Sequence, residues 1–246
     1  MKLVLSEPRL LKESVGIISE LVNEVTFKLD KEKIEITAMD PANVAMIMFK
    51  LLSSAFVEYN VKDEQEFSVN LDNLNQVLRR SKPTDTVTLE TTENKLKITL
   101  KGESTRTFSL SLIDVDESEQ KIPELKFDVK VDLPSITLTE AIDDMDIVAE
   151  SVALIAETNK LTVQSEGRFN AAKVELLTNE STTIKMKEKQ VLSKYSIEYL
   201  KKIVKGSKLA ENVSLNFGRE YPLRADYKVM DKLMLSFILA PRVDND

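Results

Sequence analysis

The sequence contains no cysteine, no histidine and no tryptophan. Without cysteine there are no disulfides, no thiol nucleophiles and no zinc–thiolate sites. Without histidine the commonest general base and the commonest metal ligand are both missing. The side chains that remain for chemistry are carboxylates, lysines, tyrosines, serines and threonines.

Long apolar runs are also missing. No segment approaches the roughly 18 uninterrupted apolar residues that a membrane helix needs. The N-terminal residues 1–6 alternate as a strand does and lack the apolar region of a signal peptide. We therefore expect a cytoplasmic protein. With 246 residues, 42% hydrophobic and 30% charged, the chain is long enough for one large folded domain or two of ordinary size.

An internal repeat is the strongest signal in the sequence. Residues 2–8 form a strand that runs into Pro8, and residues 128–134 form a strand that runs into Pro134, 126 positions later. The helical stretches Leu10 to Asn23 and Ile136 to Val148 follow these prolines. We interpret the chain as a tandem duplication with two helices and eight or nine strands in each half.

The order of later segments also repeats. In each half a hairpin follows the first helix, and the strand at 44–52 matches the one at 170–177. A second helix lies in the middle of each half. The apolar positions of this helix in the first half are Leu71, Leu74, Val77 and Leu78. The positions predicted to have the same role in the second half are Tyr195, Tyr199, Ile203 and Val204. Three strands close each half, at 86–91, 95–100 and 105–113, and at 213–217, 223–227 and 232–239. The predicted domains are 1–113 and 127–246, joined by the acidic, glycine-free connector 114–126.

Positive charge gathers on the two mid-domain helices, although the net charge is −7. The positions concerned are Arg79, Arg80 and Lys82 in the first half, and Lys201, Lys202, Lys205 and Lys208 in the second. A solvated helix face with cations near its C-terminus is the simpler explanation for either helix alone. The same placement in both halves favours sequence-blind contact with DNA phosphates. No aromatic residues are interleaved there, so stacking on single-stranded bases is not expected.

Four short segments resemble the sliding clamps of the proliferating cell nuclear antigen family, and archaeal members in particular. They are the turn Ala38-Met39-Asp40-Pro41-Ala42-Asn43-Val44-Ala45, the connector end Ile122-Pro123-Glu124, the dipeptide Pro222-Leu223 after Tyr221, and the tail Leu239-Ala240-Pro241-Arg242-Val243. Each motif alone is weak, but together they span the chain in order.

The resemblance implies an α+β fold made of two tandem processivity-clamp domains, each with two helices packed on antiparallel sheets. Three subunits would form a pseudo-six-fold ring around duplex DNA, with the helices lining the hole. The lining residues would be Lys12, Arg79, Arg80, Lys82, Lys201, Lys202, Lys205 and Lys208. Neighbouring subunits would pair edge strands through Thr105, Phe108, Leu110, Leu112, Lys173, Glu175 and Leu177.

The resemblance also implies a non-catalytic scaffold without cofactor or metal. DNA polymerase, flap endonuclease, DNA ligase and a clamp loader would bind through short motifs in an apolar pocket beneath the connector. The matching pocket positions are Met39, Val44, Met46, Ile122, Pro123, Pro222, Leu239, Ala240 and Pro241. From the residues alone, Met39, Val44 and Met46 would be taken as ordinary strand residues of a core.

Two positions depart from the family pattern. Glu140 and Asp143 are acidic, whereas relatives usually have lysine or arginine facing the hole at these positions. Three copies would place repulsive charge near DNA, so we predict a heteromeric ring in which other subunits dilute this negative charge. Gln120 replaces the leucine that relatives often have, which predicts a more polar pocket rim.

Three other readings stay open at this point. The chain could be a checkpoint-type clamp subunit with different clients, or an interaction module without a role on DNA. It could also be a magnesium-dependent phosphodiesterase that uses Asp143 and Asp146. Hard cations prefer carboxylates, but a single pair on one helix is a poor cage.

Overall fold

A computed structural model describes residues 1–115 and 120–242. The centre of the predicted connector and the end of the acidic tail lie outside these described residues. By contact density the chain divides into two compact units, each assembled from separate stretches. The first contains Met1–Pro41, Ile47–Gln120 and Val229–Leu235, and the second contains Ala42–Met46, Lys121–Lys228 and Ser236–Asp246.

The first half of the chain contains nine strands and two α-helices. In order they are β1 (Lys2–Leu5), α1 (Arg9–Ile18), β2 (Glu24–Leu29), β3 (Lys33–Met39), β4 (Ala45–Leu52), a 3-10 turn (Ser53–Ala55), β5 (Glu58–Asn60), β6 (Gln65–Asn70), α2 (Leu71–Arg79), β7 (Thr86–Thr92), β8 (Lys95–Lys101) and β9 (Thr105–Ser111).

The second half repeats this series over its described residues. In order the elements are β10 (Val129–Pro134), α3 (Ser135–Asp146), β11 (Ser151–Glu157), β12 (Lys160–Glu166), β13 (Ala171–Leu177), β14 (Thr183–Met186), β15 (Gln190–Ser196), α4 (Ile197–Ile203), a 3-10 turn (Val204–Lys208), β16 (Asn212–Phe217), β17 (Leu223–Val229) and β18 (Leu233–Leu239).

Strand order supports the duplication independently of residue identity. The run β5-β1-β7-β8-β9 in the first half has the same connectivity as β14-β10-β16-β17-β18 in the second. Likewise β4-β3-β2-β6 corresponds to β13-β12-β11-β15. Adding nine to every strand label of the first half therefore generates the second. The helices also start 126 positions apart, at Arg9 and Ser135 and again at Leu71 and Ile197.

Alternating burial explains why these segments are strands. In β8, Leu96, Ile98 and Leu100 are fully buried while the intervening Lys97 and Thr99 are not. A period of two places one side chain in the core and the next on the outer face of a sheet. Every strand pair whose register is defined is antiparallel, for example Ile98 opposite Phe108 between β8 and β9.

Helix α2 shows how local sequence starts and orients a helix. The side chain of Asn70 accepts a hydrogen bond from the Asn73 amide at 3.0 Å, which satisfies one of the free N–H groups of the first turn. Leu74, Val77 and Leu78 are buried on one face. The opposite face carries Arg79 to solvent.

Three sequence expectations about helices are wrong in detail. Helix α1 ends at Ile18 rather than Asn23, because the amides of Glu20 and Leu21 bond carbonyls three residues back and tighten the chain into a turn. Tyr195 lies in β15 rather than in the second helix of its half. Lys205 and Lys208 lie in the 3-10 turn that follows α4. Within the described residues, no helix is both long enough and apolar enough to span a bilayer.

Candidate functional sites

The basic residues predicted in the first half meet at the C-terminal end of α2. The Lys12 ammonium on α1 donates hydrogen bonds to the carbonyls of Ser81 at 3.0 Å and Arg79 at 3.5 Å. These carbonyls have no partner within the helix, and a cation at this end is favoured by the helix dipole. The bond brings Lys12 next to Arg79 and Arg80, which are exposed.

A buried carboxylate holds the loop after α2 in place. Asp85 has a side chain that is 2% exposed, and it accepts hydrogen bonds from the Lys82 amide at 3.0 Å and from the Arg106 guanidinium at 2.5 Å. Arg106 also donates to the carbonyl of Arg80 at 3.0 Å. The sequence reasoning missed Asp85 and Arg106, because burial of a single charge leaves no pattern along the chain.

Gly102 is required next to that carboxylate. A Cβ at this position would lie 2.1 Å from Oδ1 of Asp85, closer than any real contact. Beside the same loop is a groove of about 480 Å³ with mixed lining. Its walls include Arg9, Lys12 and Lys82. Lys82 also pairs with Glu103 at 2.9 Å, an exposed ion pair that contributes little to stability.

In the second unit Lys201 and Lys202 are each paired with a carboxylate. Lys201 lies 2.6 Å from Asp146 of α3, and this hydrogen bond raises the pKa of Lys201. Lys202 lies 3.2 Å from Glu198 and 5.4 Å from the centre of the Tyr199 ring. Positive charge on α4 is therefore partly balanced by its immediate surroundings.

The 3-10 turn after α4 is positioned by an aromatic ring. A Cβ on Gly206 would lie 2.5 Å from ring carbons of Tyr227, so the turn packs its bare backbone against the ring. Tyr227 is fully buried in β17, and burial raises the pKa of its hydroxyl. Lys205 and Lys208 flank this contact, with Lys208 exposed and Lys205 half-buried.

The acidic residues of α3 all lie on its exposed side. They are Glu140, Asp143, Asp144 and Asp146. A carboxylate of Asp146 already holds an ammonium group. Among residues 1–115 and 120–242, no group of three or more metal-ligating side chains has the proximity that a metal ion requires.

The segment after β18 is hydrogen-bonded to two other segments of the second unit. The Ala240 amide donates to the Val44 carbonyl at 2.9 Å, and the Arg242 amide donates to the Lys194 carbonyl of β15 at 2.8 Å. Pro241 lies between these bonds and is half-buried. The tail therefore runs as an extended segment with its backbone ordered.

The predicted pocket residues of the second unit differ in their exposure to solvent. Leu239 is fully buried and Met46 is 4% exposed, while Ile122 is 50% exposed. Pro123 is exposed, and Val44, Pro222, Ala240 and Pro241 are half-buried. Met39 belongs to the first unit, where it is half-buried at the end of β3.

Tyr221 organises this part of the second unit, although the sequence analysis did not include it among the pocket residues. Its carbonyl accepts a hydrogen bond from the Tyr195 hydroxyl at 2.8 Å, and its own hydroxyl accepts one from the Lys126 amide at 3.5 Å. Its ring meets Phe127 edge to face at 6.0 Å. The sequence feature that could have identified Tyr221 is an aromatic residue directly before Pro222.

Comparison with known proteins accounts for both halves of the chain. The family model for the N-terminal domain of proliferating cell nuclear antigen matches residues 1–121, and the model for its C-terminal domain matches residues 121–242. The chain belongs to the proliferating cell nuclear antigen family.

Its curated relatives are named DNA polymerase sliding clamps and come from archaea. The protein from Pyrococcus abyssi is 39% identical over 228 residues, which is 92% of each chain. That from Thermococcus gammatolerans is 38% identical over 94% of this chain and 93% of its own length. The Nanoarchaeum equitans protein is 34% identical over 99% of this chain and 100% of its own.

A solved structure of the same family has the same fold. The crystal structure of the antigen from Thermococcus kodakaraensis superposes with a TM-score of 0.92 at 28% identity, covering 98% of this chain and 99% of that one. The family resemblance, the tandem clamp-domain fold and the sliding-clamp function expected from the sequence are therefore confirmed.

Within this family fold, the residues predicted for subunit contact lie on two edge strands. β9 carries Thr105, Phe108 and Leu110, and Leu112 follows it directly. β13 carries Lys173, Glu175 and Leu177, and Leu177 is 62% exposed. Their assignment to a subunit interface stays a prediction.

Proposed function

We propose that this chain is a subunit of a closed ring that encircles duplex DNA and tethers replication and repair enzymes to it. The observation that carries the proposal is the family match over both repeats, combined with basic residues gathered at the helices of each repeat. Three subunits would contribute six repeats and twelve helices around the hole. The connector 114–126 would join the domains 1–113 and 127–246.

Retention on DNA would be topological. A closed ring cannot leave an unbroken circle, so weak contacts between lysine or arginine and phosphates suffice and still permit sliding. Such contacts carry no sequence information. The net charge of −7 would limit binding of DNA to the outer surface, while the basic residues gathered at the helix ends would face the phosphates.

Ring closure would use the two edge strands. An unpaired edge presents a row of backbone donors and acceptors, which natural proteins either protect or pair. β9 and β13 each end a run of strands in the described part of the chain. Pairing β9 of one subunit with β13 of the next would satisfy both edges at every junction.

Clients would bind to the second unit at the rim formed by Ile122, Pro123, Val44, Pro222, Ala240 and Pro241. DNA polymerase, flap endonuclease, DNA ligase and the clamp loader are the proposed clients, each through a short apolar motif. The extended backbone near Ala240 supports this, because an ordered extended segment can add hydrogen bonds to a bound peptide. We propose a scaffold role rather than catalysis by the chain itself.

The prediction of a heteromeric ring depends on the acidic side of α3. Asp146 is paired with Lys201, so part of that charge is already balanced within the subunit. Homomeric and heteromeric rings are therefore distinguished by the mass of the purified chain in solution.

The direct test is retention on circular and linear DNA. The purified protein is loaded by its clamp loader onto a nicked plasmid, and bound protein is separated from free protein by gel filtration in high salt. We expect the protein to stay with the circle and to be lost when one restriction cut linearises the same plasmid. A plasmid of equal length linearised before loading is the matched control. Equal retention on both forms would contradict encirclement.

A further inference from the structure

The two repeats make the same contact between their helices with different chemistry. In the first repeat, the side-chain amide of Asn75 on α2 donates a hydrogen bond at 3.1 Å to the hydroxyl of Ser19, the residue directly after α1. In the second repeat, the Lys201 ammonium on α4 donates at 2.6 Å to Asp146, the last residue of α3. The first contact joins two neutral groups, whereas the second joins opposite charges.

Burial shows that the two contacts occupy equivalent positions. The buried positions that align the helices are Leu74, Val77 and Leu78 with Leu200, Ile203 and Val204, and Ser14, Val15 and Ile18 with Ala141, Ile142 and Met145. The first set implies a shift of 126 positions, which pairs Asn75 with Lys201. The second set implies a shift of 127, which pairs Ser19 with Asp146. The second repeat therefore has an ion pair where the first has a neutral hydrogen bond.

More than one carboxylate acts on Lys201. Helix α3 has four acidic residues, Glu140, Asp143, Asp144 and Asp146, and its sequence contains no lysine or arginine. The hydrogen bond with Asp146 contributes most to raising the pKa of Lys201, and the charge of Asp143 adds a smaller attraction. The ammonium group of Lys201 is therefore held by the acidic side of α3.

The first repeat has no such restraint at the end of α2. The exposed side chains of Arg79 and Arg80 have no carboxylate partner within residues 1–115 and 120–242. Lys12 brings a third positive charge to them through its hydrogen bonds to the carbonyls of Arg79 and Ser81. A phosphate that approaches this repeat meets unpaired guanidinium groups, whereas one that approaches Lys201 meets a paired ammonium beside carboxylates.

The ion pair between Lys201 and Asp146 contributes little to folding. Both side chains are substantially exposed, at 44% and 41%. Exposed pairs add little stability, because water and salt screen the attraction between the charges. A phosphate can therefore reach this ammonium, but it must displace Asp146, whose carboxylate then stays nearby and repels it. The main consequence of the pair falls on binding of DNA rather than on stability.

We propose that Asp146 restrains contact between the second repeat and DNA phosphates by holding Lys201, a role that rests on the proposed encirclement of DNA. The first repeat of each subunit then makes the stronger phosphate contact, through Arg79 and Arg80. Around the ring, stronger and weaker contacts alternate. Because fewer phosphate contacts must break at each step, this alternation favours sliding over tight binding.

Neutralising Asp146 tests this role. The variant Asp146→Asn keeps the size of the side chain but removes the charge that competes with phosphate. Fluorescence anisotropy on a short duplex over a salt series compares this variant with the parent chain. Release of one ammonium to phosphates should steepen the plot of log binding constant against log salt concentration by up to about 0.9. The binding constant at low salt should rise at least about threefold.

Two further variants separate the ion pair from net charge. Asp144→Asn makes the same charge change on the same helix, at an exposed carboxylate without an ion pair in the described part of the chain. It should change the slope less than about half as much, since no cation is released. Asp146→Asn/Lys201→Asn restores a neutral contact like that of the first repeat and should lose the gain. Thermal unfolding of all three variants should stay close to the parent, because exposed pairs stabilise little.

Each other outcome counts against a specific step. Equal slopes for Asp146→Asn and Asp144→Asn would overturn the role of the ion pair, because the charge of α3 alone would then explain binding. A gain that persists in the double variant would assign it to a cation other than Lys201. An unchanged slope in Asp146→Asn, with the parent still retained on the nicked plasmid, would overturn the restraint and leave encirclement intact. Loss of the parent chain from the circular plasmid would instead be a failure of the proposed function.

Discussion

Two glycines are required by close approach rather than by an unusual backbone angle. Neither Gly102 nor Gly206 has a positive φ. Each lies where an added Cβ would collide, with Asp85 in the first case and with the Tyr227 ring in the second. Both contacts position a basic loop that follows a helix. The absence of a Cβ at these two glycines therefore helps to determine where the cations of each unit lie.

Replacing Gly206 with alanine should destabilise the second unit. The new methyl group would force the Tyr227 ring or the 3-10 turn to move, at a cost of about 1–3 kcal/mol. Thermal unfolding of Gly206→Ala measures the loss. Gly16→Ala is the matched control, since its Cβ would meet only Asn75 at 3.5 Å and should add up to about 1 kcal/mol of helix stability. Equal melting temperatures for Gly206→Ala and the parent chain would contradict the close contact.

At the scale of elements, contacts between paired helices change the net charge at the helix ends. Lys12 of α1 reaches the carbonyls at the end of α2, and Lys201 of α4 reaches Asp146 of α3. The first contact adds a cation to a basic helix end, whereas the second neutralises one. The two repeats therefore differ in charge although their backbones match.

Charge reversal at the end of α2 should weaken DNA binding. In Arg79→Glu/Arg80→Glu, lost phosphate contacts should reduce the slope of log binding constant against log salt concentration by about 0.9 per contact. Fluorescence anisotropy on a short duplex over a salt series gives the slope. Lys62→Glu/Lys95→Glu, at two exposed lysines outside the helices, makes the same change in net charge and should leave the slope close to the parent value. If both double variants change this slope by the same amount, the net charge alone explains the effect, and the specific role of Arg79 and Arg80 is contradicted.

At the scale of the whole molecule, β4 and β18 are neighbours in one sheet, whereas their counterparts β13 and β9 each end a run of strands in the described part of the chain. In the proposed ring, the counterpart pairing of β13 with β9 would be made between neighbouring subunits. Repetition of such a contact around an axis would close a ring of identical or related subunits.

Light scattering at several concentrations should give a mass three times 27.8 kDa if copies of this chain close the ring. That result would contradict the heteromeric ring predicted from Glu140 and Asp143. A smaller mass at every concentration, rising to a trimer only when relatives are co-expressed, would support the heteromeric ring.

The sequence by itself determined the class of fold, the duplication and the family. Periodicity of apolar residues marks strands and helices, because burial of one face is local, and matching prolines and motifs mark the repeat. It did not determine where α1 ends, or that Tyr195 lies in a strand. Nor did it reveal that Asp85 anchors Arg106, or that Gly206 meets Tyr227. Those features depend on residues far apart in the chain, whose contacts exist only once the sheets and helices have packed, so only the tertiary structure could decide them.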